Sequence, residues 1–125
     1  VHIAEAQDAM NRAAAVRAAE LHAPLVLFDT DPLITAVWAE MMFGARDPWF
    51  DRFAGYADLY LLLDIDLPFV DDGLRVYAKA EERRHFFELC KAELDARGVR
   101  YALISGVGEA RFVAALHAIQ FALAD

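Results

Sequence analysis

Hydrophobic positions along the chain recur with two periods, one typical of helices and one typical of short buried strands. In the first 22 residues, apolar side chains return every three or four positions, at Ile3, Ala6, Met10 and Ala13. This spacing predicts an amphipathic helix that ends before Pro24. Further helices are predicted over 32–42, 81–97 and 109–123, with a short helical turn over 49–54.

Three short apolar runs are predicted as strands: Leu25–Phe28, Asp58–Leu63 and Val99–Ile104. Because strands alternate with helices, the pattern predicts an α/β fold: a parallel sheet of about three strands with helices on both faces. A length of 125 residues, 58% of them hydrophobic, predicts a single domain over residues 1–125 with a buried core.

The charge of the chain narrows the possible partners. The formal net charge is −8, and its twelve basic residues are scattered rather than grouped into a stripe. Nucleic acid and an anionic membrane surface are therefore not expected as partners. The single cysteine, Cys90, excludes an intrachain disulfide and indicates a reduced, cytoplasmic setting. We interpret Cys90 as a core residue rather than a nucleophile.

Two acidic groups that follow apolar runs are the strongest candidates for chemistry. Asp29–Asp31 follows Leu25–Phe28, and Asp71–Arg75 comes after the run Leu59–Leu63 and a short loop. An α/β sheet places its chemistry at the carboxyl ends of its strands. Neither lysine of the chain follows a glycine, so the sequence holds no phosphate-gripping Gly-Lys loop.

One protein family shares these motifs. The stretch LVLFDTDPLITAVW at residues 25–38, Gly44, and above all LPFVDDGLR at residues 67–75 resemble the nicotinamide riboside kinase domain of the NadR type, a P-loop nucleotide kinase. The resemblance covers nearly the whole chain, although Phe69 stands where the family usually carries Trp. It implies a partial P-loop nucleoside-kinase fold, with ATP and Mg²⁺ as cofactors of the intact family.

Members of that family begin with a strand and a G-x-x-x-x-G-K-[ST] loop, both upstream of the position that matches Val1. The chain also starts without Met. We therefore expect it to be the carboxy-terminal part of a P-loop kinase-like domain. Because the backbone amides and the Lys that hold the β and γ phosphates are absent, neither ATP nor Mg²⁺ is expected to bind this chain tightly.

The resemblance assigns Asp29 or Asp31 to Mg²⁺ or its waters and to the substrate ribose. An Asp just beyond a buried strand also has the position of a Walker B carboxylate. Alternatively, Asp31 caps the helix that starts at Pro32, and the two roles are compatible. Asp29 is therefore the stronger candidate for a metal ligand.

The second motif and the helix after it hold the other polar candidates. The resemblance implies that Asp71 and Asp72 orient substrate hydroxyls and that Arg75 reaches phosphate. Their alternative is a solvated acidic turn with an Arg-Asp pair. Arg83 and Arg84 could also reach the phosphates, although such a pair is more often an exposed helix surface.

Two tryptophans are candidates for stacking on a nicotinamide ring. Trp49, beside Pro48, is the better candidate, whereas Trp38 lies on an apolar helix face and has a core role as its alternative. The four histidines have no metal-binding spacing, so no zinc is expected. The Gly106-Val107-Gly108 turn is interpreted as a helix entry rather than a phosphate cradle.

Two functions fit these observations. The first is ATP-dependent phosphorylation of nicotinamide riboside in NAD salvage, as the activity of the intact protein, with this chain inactive alone. The second is a non-catalytic remnant or protein-interaction module of the same fold. Two exposed strand edges would also allow homo-oligomers to form.

Overall fold

The computed structural model describes residues 1–66 and 80–124, which form two compact units, Val1–Gly55 and Tyr56–Asp125. The helices are α1 (His2–Glu20), α2 (Pro32–Phe43), α3 (Trp49–Arg52), α4 (Ala80–Arg97) and α5 (Glu109–Leu123), and the strands are β1 (Tyr60–Leu63) and β2 (Tyr101–Ile104). The first unit contains α1 to α3, and the second contains both strands with α4 and α5. The single domain over residues 1–125 stays a prediction.

The core of the first unit joins its three helices. Ala4 of α1, Ala36 of α2 and Phe50 of α3 form one buried cluster, with Trp49 packed against it. Ala4 and Ala36 are completely buried. Because alanine side chains are small, α1 and α2 can approach each other closely, and burial of the Phe50 ring adds most of the apolar area.

The apolar face predicted for α1 is not the face that packs against the rest of the unit. Ile3 and Met10 are 78% and 65% exposed, whereas Ala4 is fully buried. On the Ala4 side, Gln7 and Asn11 are half-buried. The helix itself is confirmed, but it packs through one small residue and a row of polar ones. Periodicity identified the helix and could not show which face the rest of the unit would cover.

The strand predicted at Leu25–Phe28 is not formed. The segment is irregular, and all four of its side chains are exposed, Leu27 by 71%. A strand is stabilised by a neighbour that pairs with its backbone, and no such pairing exists in the described part of the chain. The apolar sequence is typical of a buried strand, but a strand also needs a second strand to pair with, and the residues of the run itself cannot provide one.

The second unit contains a parallel pair of strands, in agreement with the predicted orientation. Tyr60 pairs with Tyr101 and Leu63 with Ile104, and the described residues show this two-stranded sheet rather than three strands. Between parallel strands the chain must cross over, and α4 lies in that connection. Helices on both faces of the sheet stay a prediction.

Helix α4 carries both apolar and charged buried groups. Leu94 is buried, and Ile104 of β2 is 2% exposed. Glu93 is also buried, but its carboxylate accepts a hydrogen bond from Arg97 Nε at 2.8 Å. The pair therefore offsets the cost of burying a charge. Gly98 follows the helix with φ +67°, which confirms its predicted place at the helix end.

Candidate functional site

Asp31 fixes the start of α2. Its backbone is extended, its Oδ1 accepts a hydrogen bond from the backbone N–H of Leu33 at 2.9 Å, and Pro32 occupies the first turn. These features define an N-cap, so the structural alternative predicted for Asp31 is confirmed. The cap also determines where the chain enters α2, and thus holds the two preceding residues, Asp29 and Thr30.

A second contact holds the Asp29–Asp31 loop against α1. Asn11 donates from its Nδ2 to the Thr30 carbonyl at 3.1 Å, and Gln7 donates to Asn11 Oδ1 at 2.7 Å. The loop is therefore attached at both sides, by Asn11 to α1 and by Asp31 to α2. The sequence interpretation assigned no role to Gln7 and Asn11. Their one signal was that two amide side chains lie four positions apart, on the same side of an amphipathic helix.

Asp29 is left available for a ligand. It is exposed, and within residues 1–66 and 80–124 its carboxylate makes no hydrogen bond or ion pair. The described residues contain no group of three or more His, Cys, Asp or Glu side chains arranged around a metal. Mg²⁺ commonly uses one or two carboxylates, with water and substrate phosphates as its other ligands. Asp29, a single carboxylate on a loop attached to two helices, fits this way of binding Mg²⁺.

A groove is formed by residues of α1, of α3 and of the segment after α3. We call it the Trp49 groove; its volume is about 360 Å³, and it is lined by Asp8, Arg12, Trp49, Arg52, Phe53, Ala54 and Gly55. Asp8 and Arg12 form an ion pair with Oδ2 and Nε 3.2 Å apart. The Trp49 ring stacks on Phe53, with ring centres 5.6 Å apart and an interplanar angle of 25°.

The other predicted site residues have different surroundings. Trp38 is half-buried in α2, and Trp49 packs edge-on against Phe50 as well as on Phe53. Arg83 and Arg84 lie in the first part of α4, where Arg84 is 4.0 Å from Glu88 in an exposed pair. Their phosphate-binding role stays a prediction. Asp71, Asp72 and Arg75 lie outside the described residues.

The carboxyl ends of β1 and β2 carry a polar cluster that the sequence interpretation passed over. Asp64 accepts a hydrogen bond from Ser105 Oγ at 2.8 Å, and Asp66 accepts one from the Gly106 N–H at 2.7 Å. Arg111 of α5 contacts Asp66 at 2.8 Å and donates to the Asp64 carbonyl at 2.6 Å. The signal was present, because Asp64-Ile65-Asp66 follows its strand as Asp29-Thr30-Asp31 follows an apolar run.

This cluster has a structural role in the described residues, since its members satisfy one another. The Gly106 N–H, and then the Arg111 guanidinium, hold the pKa of Asp66 below its usual value. Asp66 therefore stays ionised at neutral pH and joins the loop after β1 to the loop after β2. In sequence, it directly precedes Leu67, where the LPFVDDGLR motif begins.

Cys90 is a half-buried, unreactive thiol. It is half-buried in α4, and burial together with the negative charge of Glu93 raises its pKa to about 11. At neutral pH it is therefore protonated and a poor nucleophile, as the interpretation of Cys90 as a core residue predicts.

No helix in the described part of the chain has the length and apolar character needed to cross a bilayer.

The parallel strands, the helix between them and the acidic residues at the strand ends place the chain in the mixed α/β class, compatible with a P-loop-like fold. Among known protein families, one described as an AAA domain matches residues 1–111, and the chain belongs to that family. Membership indicates a nucleotide-binding, kinase-like P-loop function. No curated protein and no solved structure matches the chain.

Proposed function

We propose that the protein carrying this chain phosphorylates nicotinamide riboside with ATP, and that Asp29 is the carboxylate that holds Mg²⁺. The observation that supports this role is the placement of Asp29, exposed and without a partner in the described residues, on a loop attached to two helices. The nucleoside is suggested by the DTD and DDGLR motifs, which resemble those of nicotinamide riboside kinases.

The residues of this chain would contribute positioning and charge. Phosphoryl transfer depends mainly on alignment of the reactants and on neutralisation of the charge that develops on the phosphate. Bound Mg²⁺ would supply part of that neutralisation. Asp31 and Asn11 hold the loop, so that Asp29 loses little entropy when it binds a ligand.

The remaining predicted residues are proposed to contact the nucleoside and the phosphate. Trp49, and less directly Trp38, would stack on the aromatic ring of the nucleoside. Asp71 and Asp72 would accept hydrogen bonds from its hydroxyls. The phosphate would be contacted by three arginines: Arg75, Arg83 and Arg84.

The test is an assay of mononucleotide formation in the gene product that contains these residues, supplied with ATP, Mg²⁺ and nicotinamide riboside. We expect Asp29→Asn to lower kcat by roughly 100-fold or more, the loss typical of removing one charged contributor to the transition state. The matched control is Asp58→Asn, because Asp58 is also exposed and without a partner in the described residues.

Two results would contradict the proposal. Full activity of Asp29→Asn would remove the metal role of this residue. Turnover of adenosine or uridine but not of nicotinamide riboside would remove the proposed substrate and leave a kinase of another specificity. Separately, ATP binding by the 125-residue chain alone that is much tighter than its AMP binding, measured by calorimetry, would refute the expectation that this chain cannot hold the β and γ phosphates.

A second candidate function is a protein-interaction module that also allows self-association. The observation that favours it is the exposed apolar face of α1, where Ile3 and Met10 face solvent. Large apolar side chains grouped on a surface commonly mark an interaction site. This function and the kinase function are not exclusive.

A further inference from the structure

We propose that the Trp49 groove is a binding site for a small anion that carries an aromatic ring, of the mononucleotide class. The groove combines an aromatic side chain, two guanidinium groups and one carboxylate around a volume of about 360 Å³. That volume lies in the lower part of the range of roughly 300–1,000 Å³ that is usual for small-molecule sites.

The charge of the groove is opposite to that of the protein. Arg12 and Arg52 contribute two positive charges against the single negative charge of Asp8, whereas the whole chain carries a net charge of −8. Arg12 is shared with Asp8, but Arg52 is exposed and has no side-chain hydrogen bond or ion pair in the described residues. A phosphate group would give Arg52 a partner and would be shared with Arg12.

The aromatic side of the groove is held rigidly. Trp49 stacks on Phe53 and packs edge-on against Phe50, which is 2% exposed. The backbone N–H of Trp49 donates to Asp47 Oδ1 at 2.8 Å, which fixes the start of α3. Because the indole is already immobilised and half-buried, stacking of a ligand ring on it costs little side-chain entropy.

Gly55 lines the groove at a position where a Cβ atom would be in tight contact with its neighbours. A Cβ atom at this position would lie 3.0 Å from Phe53 Cε2 and 3.2 Å from Asp8 Oδ1. The backbone can therefore approach both the ring and the carboxylate. A side chain at Gly55 would require the Phe53 ring or the Asp8 carboxylate to shift by a few tenths of an ångström.

This inference goes beyond the proposed function, because a mononucleotide can occupy the groove whether or not the protein phosphorylates a nucleoside. Asp8, Arg12 and Arg52 have no part in the proposed transfer reaction. A binding experiment without ATP therefore tests the groove and the stacking role of Trp49, and its failure would leave the proposed roles of Asp29 and of the phosphate-binding arginines untouched.

Calorimetry on the 125-residue chain with three ligands tests the proposal: AMP, adenosine, which lacks the phosphate, and ribose 5-phosphate, which lacks the ring. We expect AMP to bind most tightly and Arg52→Gln to weaken AMP binding by about tenfold, since a charged hydrogen bond is lost. Arg12→Gln should also weaken it. The matched control is Arg17→Gln, because Arg17 is another exposed arginine of α1, paired with Glu20 outside the groove.

Three outcomes would overturn the proposal. One is the absence of saturable AMP binding. Another is equal AMP affinity in Arg52→Gln and Arg17→Gln. The third is equal affinity for AMP and ribose 5-phosphate, which would mean that the ring does not contact Trp49. All three substitutions replace exposed side chains, and an unchanged circular dichroism spectrum would show that the variants remain folded.

Discussion

Individual side chains explain how the predicted catalytic loop is held. Asp31 caps α2, and Asn11 donates to the Thr30 carbonyl, so both contacts act on the residues around Asp29. The capping role of Asp31 was predictable, because an Asp before Pro at the start of an apolar helix is a typical N-terminal signal. The Asn11 contact was not, since it joins residues 19 positions apart.

The alkylation rate of the Cys90 thiol measures how strongly the fold protects it. Since burial raises its pKa to about 11, we expect iodoacetamide at pH 8 to alkylate the folded chain roughly 100-fold more slowly than the chain unfolded in guanidinium, where a thiol pKa is about 8.5. The folded rate should rise as the pH approaches 11, for as long as the fold persists. Equal rates in the two states would show that Cys90 is exposed.

Asp66 should make stability depend on pH in the acid range. Its pKa is lowered in the folded state, so its contribution is fully present above the unfolded pKa of about 3.9 and is lost as the pH falls through the folded value. We expect Asp66→Asn to lower the melting temperature at pH 7 and to match the unsubstituted chain at pH values below the folded pKa. A difference between the two proteins that does not depend on pH would contradict the ionic role.

The helices and strands differ in how much of them the sequence determined. Helix α4 and its end at Gly98 follow from periodicity and from one glycine, both local signals. Strands β1 and β2 were predicted because their apolar runs are short and rich in residues that favour strands. The run Leu25–Phe28 has the same local character. It forms no strand, because no neighbouring strand pairs with it in the described residues.

Helix α1 allows the packing face to be tested with two matched substitutions. Ala4 is completely buried, so Ala4→Leu should destabilise the chain by about 1–3 kcal/mol through overpacking. Ala6 is exposed, so Ala6→Leu should change the free energy of unfolding by less than about 0.5 kcal/mol. Urea titration of both variants measures this. The reverse order would mean that the predicted Ile3–Met10 face is the buried one.

The whole molecule is acidic, and many large apolar side chains among its described residues are exposed. Besides Ile3 and Met10, several large apolar residues are more than 60% exposed: Leu21, Leu27, Phe43, Val107, Phe112 and Phe121. Repulsion between chains of net charge −8 opposes association, whereas burial of these side chains favours it.

We expect burial of the apolar side chains to outweigh charge repulsion at high salt, where the repulsion is screened. In sedimentation velocity the average mass of the 125-residue chain should rise with protein concentration and with added salt. The double substitution Ile3→Ser, Met10→Ser should reduce this association, and Ala9→Ser, on another side of α1, should not. A monomer under all conditions would count against the interaction function.

The sequence by itself determined the helices, the parallel α/β class and the chemical character of the candidate loop, because these depend on the spacing of nearby residues. Tertiary structure decided three further matters: that α1 packs through Ala4 rather than through its apolar stripe, that Leu25–Phe28 is exposed, and that Asp8, Arg12, Trp49 and Arg52 line one groove. Each depends on residues distant in sequence coming together, and a pattern read along one chain contains no information about which partner covers a given face.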